Sequence, residues 1–218
     1  IEALDVTVEI AGEDGLLVTG TFGSGATIGS PAAGTRMFFN PNKAAFRAGA
    51  VVGTQWDEAN VGNFSTAFGS STTANDDNAM AWGLGTTAGN GTATIGGERA
   101  TAWGDGAVAS QENATAWGWD TEASGDEATA WGAFTEATDQ YATAWGLQTT
   151  ATGRSSTAWG ISADATAEAA TAWGTDAIAT GLSATAFGVE IEAAGDYSVA
   201  ISLGDTDPGG GTNFFVTD

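Results

Sequence analysis

Any chemistry done by this chain has to be done without histidine and without cysteine, because it contains neither. That removes the Ser-His-Asp and Cys-His routes to a nucleophile, and with them thiolate and histidine metal sites. Paired carboxylates can hydrolyse a glycoside, but among 27 acidic residues some pairs fall close by chance, and none is singled out. Asn75-Asp76-Asp77-Asn78 and Asp205-Thr206-Asp207 offer oxygen ligands for calcium. Neither has EF-hand spacing and the glycine-rich nonapeptide calcium repeat is missing, so solvated turns account for both. Gly-Lys-Ser/Thr does not occur, so there is no phosphate loop. Arg36, Lys43 and Arg47 could hold an anion, although pairing with nearby acids is the simpler expectation. The sequence therefore predicts no catalytic residue, no metal and no cofactor.

Two aromatic and hydroxyl series remain. A row of tryptophans could stack on carbohydrate, but packing in a core or interface explains it more simply. A row of threonines from Thr101 to Thr185 resembles flat ice-binding arrays, and ice binding is kept as a minor alternative. Trp119 and Phe134 fall in turns outside the main row and are the better candidates for exposed aromatics.

Both series belong to one repeat. The phrase Ala/Ser-Thr-Ala-aromatic-Gly returns every fourteen residues from Ala100 to Gly188, marked by Trp103, Trp117, Trp131, Trp145, Trp159, Trp173 and Phe187. Phe68 and Trp82 mark earlier copies and Ile201 a weakened later one. These ten markers are read as the structural core of the repeat. A short fixed period makes each repeat one unit that stacks on its neighbours. Fourteen residues fit two short strands and two tight turns, whereas a helical hairpin needs about twice that. The expected fold is all-β: a parallel β-roll, or β-solenoid, of 14-residue coils.

Alternation along a strand puts Thr115 and Trp117 on one face and Ala114, Ala116 and Gly118 on the other. Four residues past the markers lie Ala107, Thr121, Thr135, Thr149, Ala163, Ala177 and Ile191; six past lie Ala109, Ala123, Ala137, Ala151, Ala165, Ala179 and Ala193. The expectation is an interior filled by a bulky residue from one strand and a small one from the other, with the threonines buried beside the tryptophans. Gly125, Gly153, Gly181 and Gly195 fit closing turns where φ > 0 is often needed. Trp82 to Trp103 is twenty-one residues, so seven extra residues either loop out or shift the coil; Ala93-Thr94-Ile95-Gly96 reads as a short distorted coil. Phe68 to Ile201 then corresponds to about nine and a half coils, a rod ~45 Å long.

The flanks do not repeat. Residues 1–63 read as a β cap for the open first coil: a hairpin from Leu4–Ile10 and Leu16–Phe22, a strand at Met37-Phe38-Phe39 ended by Asn40-Pro41-Asn42, then an apolar run from Ala44 to Val52. Residues 64–204 form the array, and residues 205–218 read as a linker plus one apolar strand. A chain that starts at Ile1 reads as an excised or processed piece.

The net charge is −22, which argues against nucleic acid and anionic lipid as partners. No apolar run is long enough to span a bilayer, so no direct membrane insertion by this segment is expected. With 42% hydrophobic residues and a strict aromatic period, disorder is not the reading; the expectation is a halophilic, salt-screened acidic surface, with a merely acidic, soluble surface as the alternative.

The phrase resembles the head repeat of trimeric autotransporter adhesins, the YadA-like head, whose consensus is Asn-Ser-Val-Ala-Ile-Gly. Ser198-Val199-Ala200-Ile201 matches it almost letter for letter; elsewhere Thr stands for Val and Trp for Ile, as in Ala128-Thr129-Ala130-Trp131-Gly132. Gly34 to Gly49, with Gly53-Thr54-Gln55-Trp56, resembles the segment that precedes such repeats. The resemblance implies a left-handed roll, a side-by-side homotrimer, a place on the cell surface, and attachment to a receptor or host component that the sequence does not name. Phage tail-fibre or virion-spike repeats are the alternative.

Overall fold

The computed structural model describes residues 18–25, 33–90, 99–202 and 213–216. Thr, Trp and Ala in alternation, closed by Gly, form the marker strands. There are ten among the described residues, from Thr66–Ser70 through Thr129–Ala133 and Thr143–Leu147 to Val199–Ser202. Each pairs in parallel with the next and in strict register: Thr129 with Thr143, Ala130 with Ala144, Trp131 with Trp145. A second, shorter series pairs the same way, Glu122–Ala123 on Glu136–Ala137 on Thr150–Ala151. The chain is an all-β parallel β-solenoid of about nine turns.

The interior is not the mixed bulky-and-small one expected from the sequence. It is built from alanine, with Ala114, Ala116, Ala128, Ala130, Ala142 and Ala144 fully buried, and with Ala123, Ala137 and Ala151 from the facing strand. Thr121, Thr135 and Thr149 complete it. Ile191, in register with Ala177, fills the same position with a larger aliphatic side chain, while the marker side chains are turned outward.

Two corners per coil are taken by residues with positive φ, mostly not glycine. Phe134 (φ 55), Gln148 (φ 55) and Ser162 (φ 51) lie three past a marker; Glu127 (φ 58), Tyr141 (φ 61) and Ser155 (φ 57) lie ten past. The left-handed region disfavours L-residues. It is offset here by hydrogen bonds to the coil before: the Phe134 N–H donates to Trp119 O at 2.8 Å, and the Tyr141 N–H to Asp126 O at 2.9 Å. The expected turn glycines act differently. Gly125 has no positive φ; it is glycine because a Cβ there would lie 2.1 Å from Asp139 O in the next coil.

The seven extra residues after Trp82 do not shift the register. Trp82 still pairs with Trp103, and Thr87–Ala88 with Val108–Ala109. The surplus is taken up between Ala88 and Thr101, so the array advances nine steps from Phe68 to Ile201 rather than nine and a half. The distorted coil expected at Ala93–Gly96 lies outside the described residues.

At the N-terminal end, β1 (Gly34–Asn40) pairs antiparallel with β2 (Ala45–Val51), and β2 runs parallel to β3 (Thr66–Ser70), the first marker strand. Arg47 takes the register position of the interior alanines, opposite Ala67. It is fully buried, and its guanidinium donates to Phe46 O, Ser65 O, Ser65 Oγ and Ala74 O at 2.7–3.0 Å. Burial without a carboxylate lowers its pKa to about 10. Trp56 closes the same end, its Nε1 donating to Thr72 O at 2.9 Å. Of the expected hairpin, Leu4–Ile10 lies outside the described residues and residues 18–22 are not a strand. At the other end, Asn213–Val216 pairs antiparallel with the last marker strand.

Candidate functional surface

The marker side chains form one continuous outward file. From Trp82 to Trp173 seven indoles stack in parallel, with centroids 4.6–5.3 Å apart and interplanar angles of 1–13°. The stack continues across the seven-residue insertion, since Trp82 and Trp103 stack at 5.1 Å. Phe68 and Phe187 end it edge-on, at 66° and 87°. Ile201 follows Phe187 in register and is half-buried.

The local reason for the file is the glycine after each marker. Gly132 has φ 130, and a Cβ on it would lie 2.0 Å from Gly146 O of the next coil. Glycine lets the coils approach to the strand-pairing distance of ~4.8 Å. That same spacing brings each indole against the next.

None of the nine aromatic markers is buried within the chain; exposure runs from 37% at Phe187 to 49% at Trp82. The expected burial of the threonine row is also corrected. Thr129 and Thr157 are exposed and Thr115, Thr143 and Thr171 half-exposed, because they share the tryptophans' outward face. Two residues past the markers, Leu84, Trp119, Leu147, Ile161 and Val189 extend that face as a second exposed apolar file. The reading of the sequence passed over this file, although the same alternation places it. The result is a long apolar stripe on a protein of net charge −22.

Trp119 and Phe134 are both exposed, as the sequence leads one to expect. Lys43 donates to Glu58 O and Val61 O and lies 3.8 Å from Glu58 Oε1, so it is paired rather than free for an anion. Asp77 accepts from the Asn63 backbone and side chain at 3.0 and 3.2 Å. Among the described residues, no group of three or more acidic side chains is placed to hold a metal ion. The pKa of Asp164 is raised, first by desolvation and further by the charge of Asp176, against a hydrogen bond from Thr150 that lowers it. The arrangement can present a surface.

A family model described as the YadA head domain repeat (2 copies) matches residues 61–86, 96–121, 123–149, 165–190 and 179–201. Comparison with curated proteins finds none that matches. No helix among the described residues is long and apolar enough to cross a membrane.

Proposed function

The chain belongs to the YadA head domain repeat family, and from that premise we propose that it is the surface-displayed, non-enzymatic head of a trimeric adhesin or fibre, working by attachment. The observation that carries this reading is the outward aromatic file. An indole covers roughly 150–250 Å² when buried, worth ~4 kcal/mol at about 25 cal/mol per Å² before entropy costs. A single roll leaves each tryptophan from Trp82 to Trp173 about half uncovered. Exposed apolar patches of this extent mark an interface, and a second copy presents the same stripe.

Heads of this family are typically trimeric and surface-exposed. Three rolls side by side, left-handed as the family implies, put three tryptophan faces around one axis with cyclic closure. The outer surfaces then carry the acidic rows, which suits a soluble, salt-screened exterior. In this reading residues 1–63 are the N-terminal cap and residues 205–218 a linker and strand; Arg47 and Trp56 are buried at the N-terminal end of the alanine interior. Tail-fibre or virion-spike display uses the same architecture.

Light scattering tests the assembly: a trimer gives three times 21.7 kDa, and a clean monomer removes it. For attachment, the module is displayed on a non-adherent cell and retention is measured on immobilised glycans and matrix proteins. No retention above undecorated cells would sink the adhesive role.

A further inference from the structure

We propose that the corner at Phe134, backed by Trp119 of the coil before and facing Asp120, Glu122 and Glu136, is a docking site for a cationic side chain, a guanidinium above all, presented by a basic segment of a protein partner. This deepens the reading of the module as an attachment head and rests on it.

The corner departs from the repeat in two successive coils. Elsewhere in the array from Phe68, positions two past a marker carry Ser, Leu, Asp, Ala, Ile, Thr or Val, and positions three past carry Ser, Gly, Asp, Gln or Glu. Only here do rings occupy them. The Trp119 and Phe134 centroids are 4.6 Å apart with the planes tilted 55°. The backbone bond from the Phe134 N–H to Trp119 O ties the two coils at that point. Phe134 sits at φ 55, a conformation that disfavours a bulky side chain and that Ser162 or Asp176 fills in other coils. The alanine interior needs neither ring; within one roll Phe134 is 39% exposed, while Trp119, 56% exposed, lies on the apolar stripe assigned to the contact between rolls.

Phe134 borders an open cavity of about 260 Å³, lined also by Gly106, Val108, Asp120, Glu122 and Glu136. Gly106 leaves room where other coils carry a side chain. Glu122 and Glu136 are register partners, held ~4.8 Å apart at the backbone. Like charges directly opposite repel. Among the described residues no lysine or arginine pairs with Asp120, Glu122 or Glu136.

The Phe134 ring facing carboxylates that no lysine or arginine pairs with matches a planar cation. A guanidinium stacks on the ring and donates two parallel N–H bonds to a carboxylate. The cavity is too large for a bare metal ion, and a ring supplies it no oxygen ligand. The field of a chain with net charge −22 draws such a partner in.

The test is calorimetric titration of the full chain, at physiological salt, with the capped peptide Gly-Arg-Gly-Arg-Gly. Its lysine and citrulline analogues are run beside it. The arginine peptide should bind, the lysine peptide more weakly, and the neutral citrulline peptide not at all. Phe134→Ser, which restores what Ser162 carries, should weaken arginine binding about tenfold, as should Glu122→Gln with Glu136→Gln. Glu190→Gln with Glu192→Gln, acids on another part of the roll, should leave affinity within about twofold. Equal losses at both acidic sites would mean bulk charge alone, and would overturn the proposal; so would absence of arginine-peptide binding. Retention that fails while the peptide still binds would sink the attachment reading instead.

Discussion

Along one marker strand, adjacent residues live under opposite rules. Ala130 faces inward, is fully buried and meets Ala116 and Ala144 above and below. Trp131 faces outward, is 40% exposed and stacks on Trp117 and Trp145. The interior is narrow and lined mainly by alanine, because two strands of a single coil enclose it. The outer face has no wall, so the largest side chain in the repertoire fits there at every step. The comparison teaches that the bulky residue of a repeat need not mark its core. In a thin roll the core is set by what is small.

Five changes would break or sharpen that contrast. The largest effect should come from Gly132→Ala, which drives a Cβ to 2.0 Å from Gly146 O at φ 130; we expect a loss of about 3 kcal/mol or more, seen as a steep fall in melting temperature. Ala144→Leu overfills the interior and should cost about 1–3 kcal/mol or more in thermal unfolding. A mild effect from that substitution would mean the interior is looser than its alanines indicate. On the outer face, Trp131→Asp with Trp145→Asp should leave the single roll folded by circular dichroism but drop the particle to one chain by light scattering. Unfolding instead would assign the stack to the fold of the roll itself.

Smaller still are the charge effects. Raising salt from 0.1 M to molar levels shortens the screening length from about 10 Å to 3 Å. With acidic neighbours such as Glu122 and Glu136 in register, this should stabilise the protein by roughly 2 kcal/mol, or about 4–8 °C for a chain of this length. A flat response would discard salt adaptation. The smallest is Asp164. Its folded pKa is raised above the ordinary 3.8, chiefly by desolvation. The folded state therefore binds its proton more tightly than the unfolded one, so stability falls as pH rises from the ordinary value through the folded one. Asp164→Asn should gain about 0.5 kcal/mol or less at neutral pH, and the gain should vanish below pH 3.8. A gain that persists there would assign it to packing.

Much was legible beforehand because it is a matter of period and alternation. The fourteen-residue spacing from Trp103 to Phe187 predicts the stacked parallel strands, and the expected register of Trp131 on Trp145 is the observed one. The inward alanines six past each marker were also readable. What alternation cannot say is which of two faces is inside. Size pointed toward the tryptophans, since bulky apolar residues usually fill cores; the distance between the two strands of a coil decided for the alanines. The positive φ at Phe134 and Tyr141 was not legible either, because residue type there does not favour it.

By itself, then, the amino-acid order determined the repeat, its strand character, its pairing partners and the acidity of its surface, all of which depend on neighbours in sequence or on simple counts. Only the tertiary structure decided that the insertion after Ala88 leaves the stack undisturbed, that Arg47 closes the interior, and that the aromatic file faces outward. Each of these depends on how much room the closed coil leaves between its two strands. That room is a distance in space which no spacing along the chain encodes.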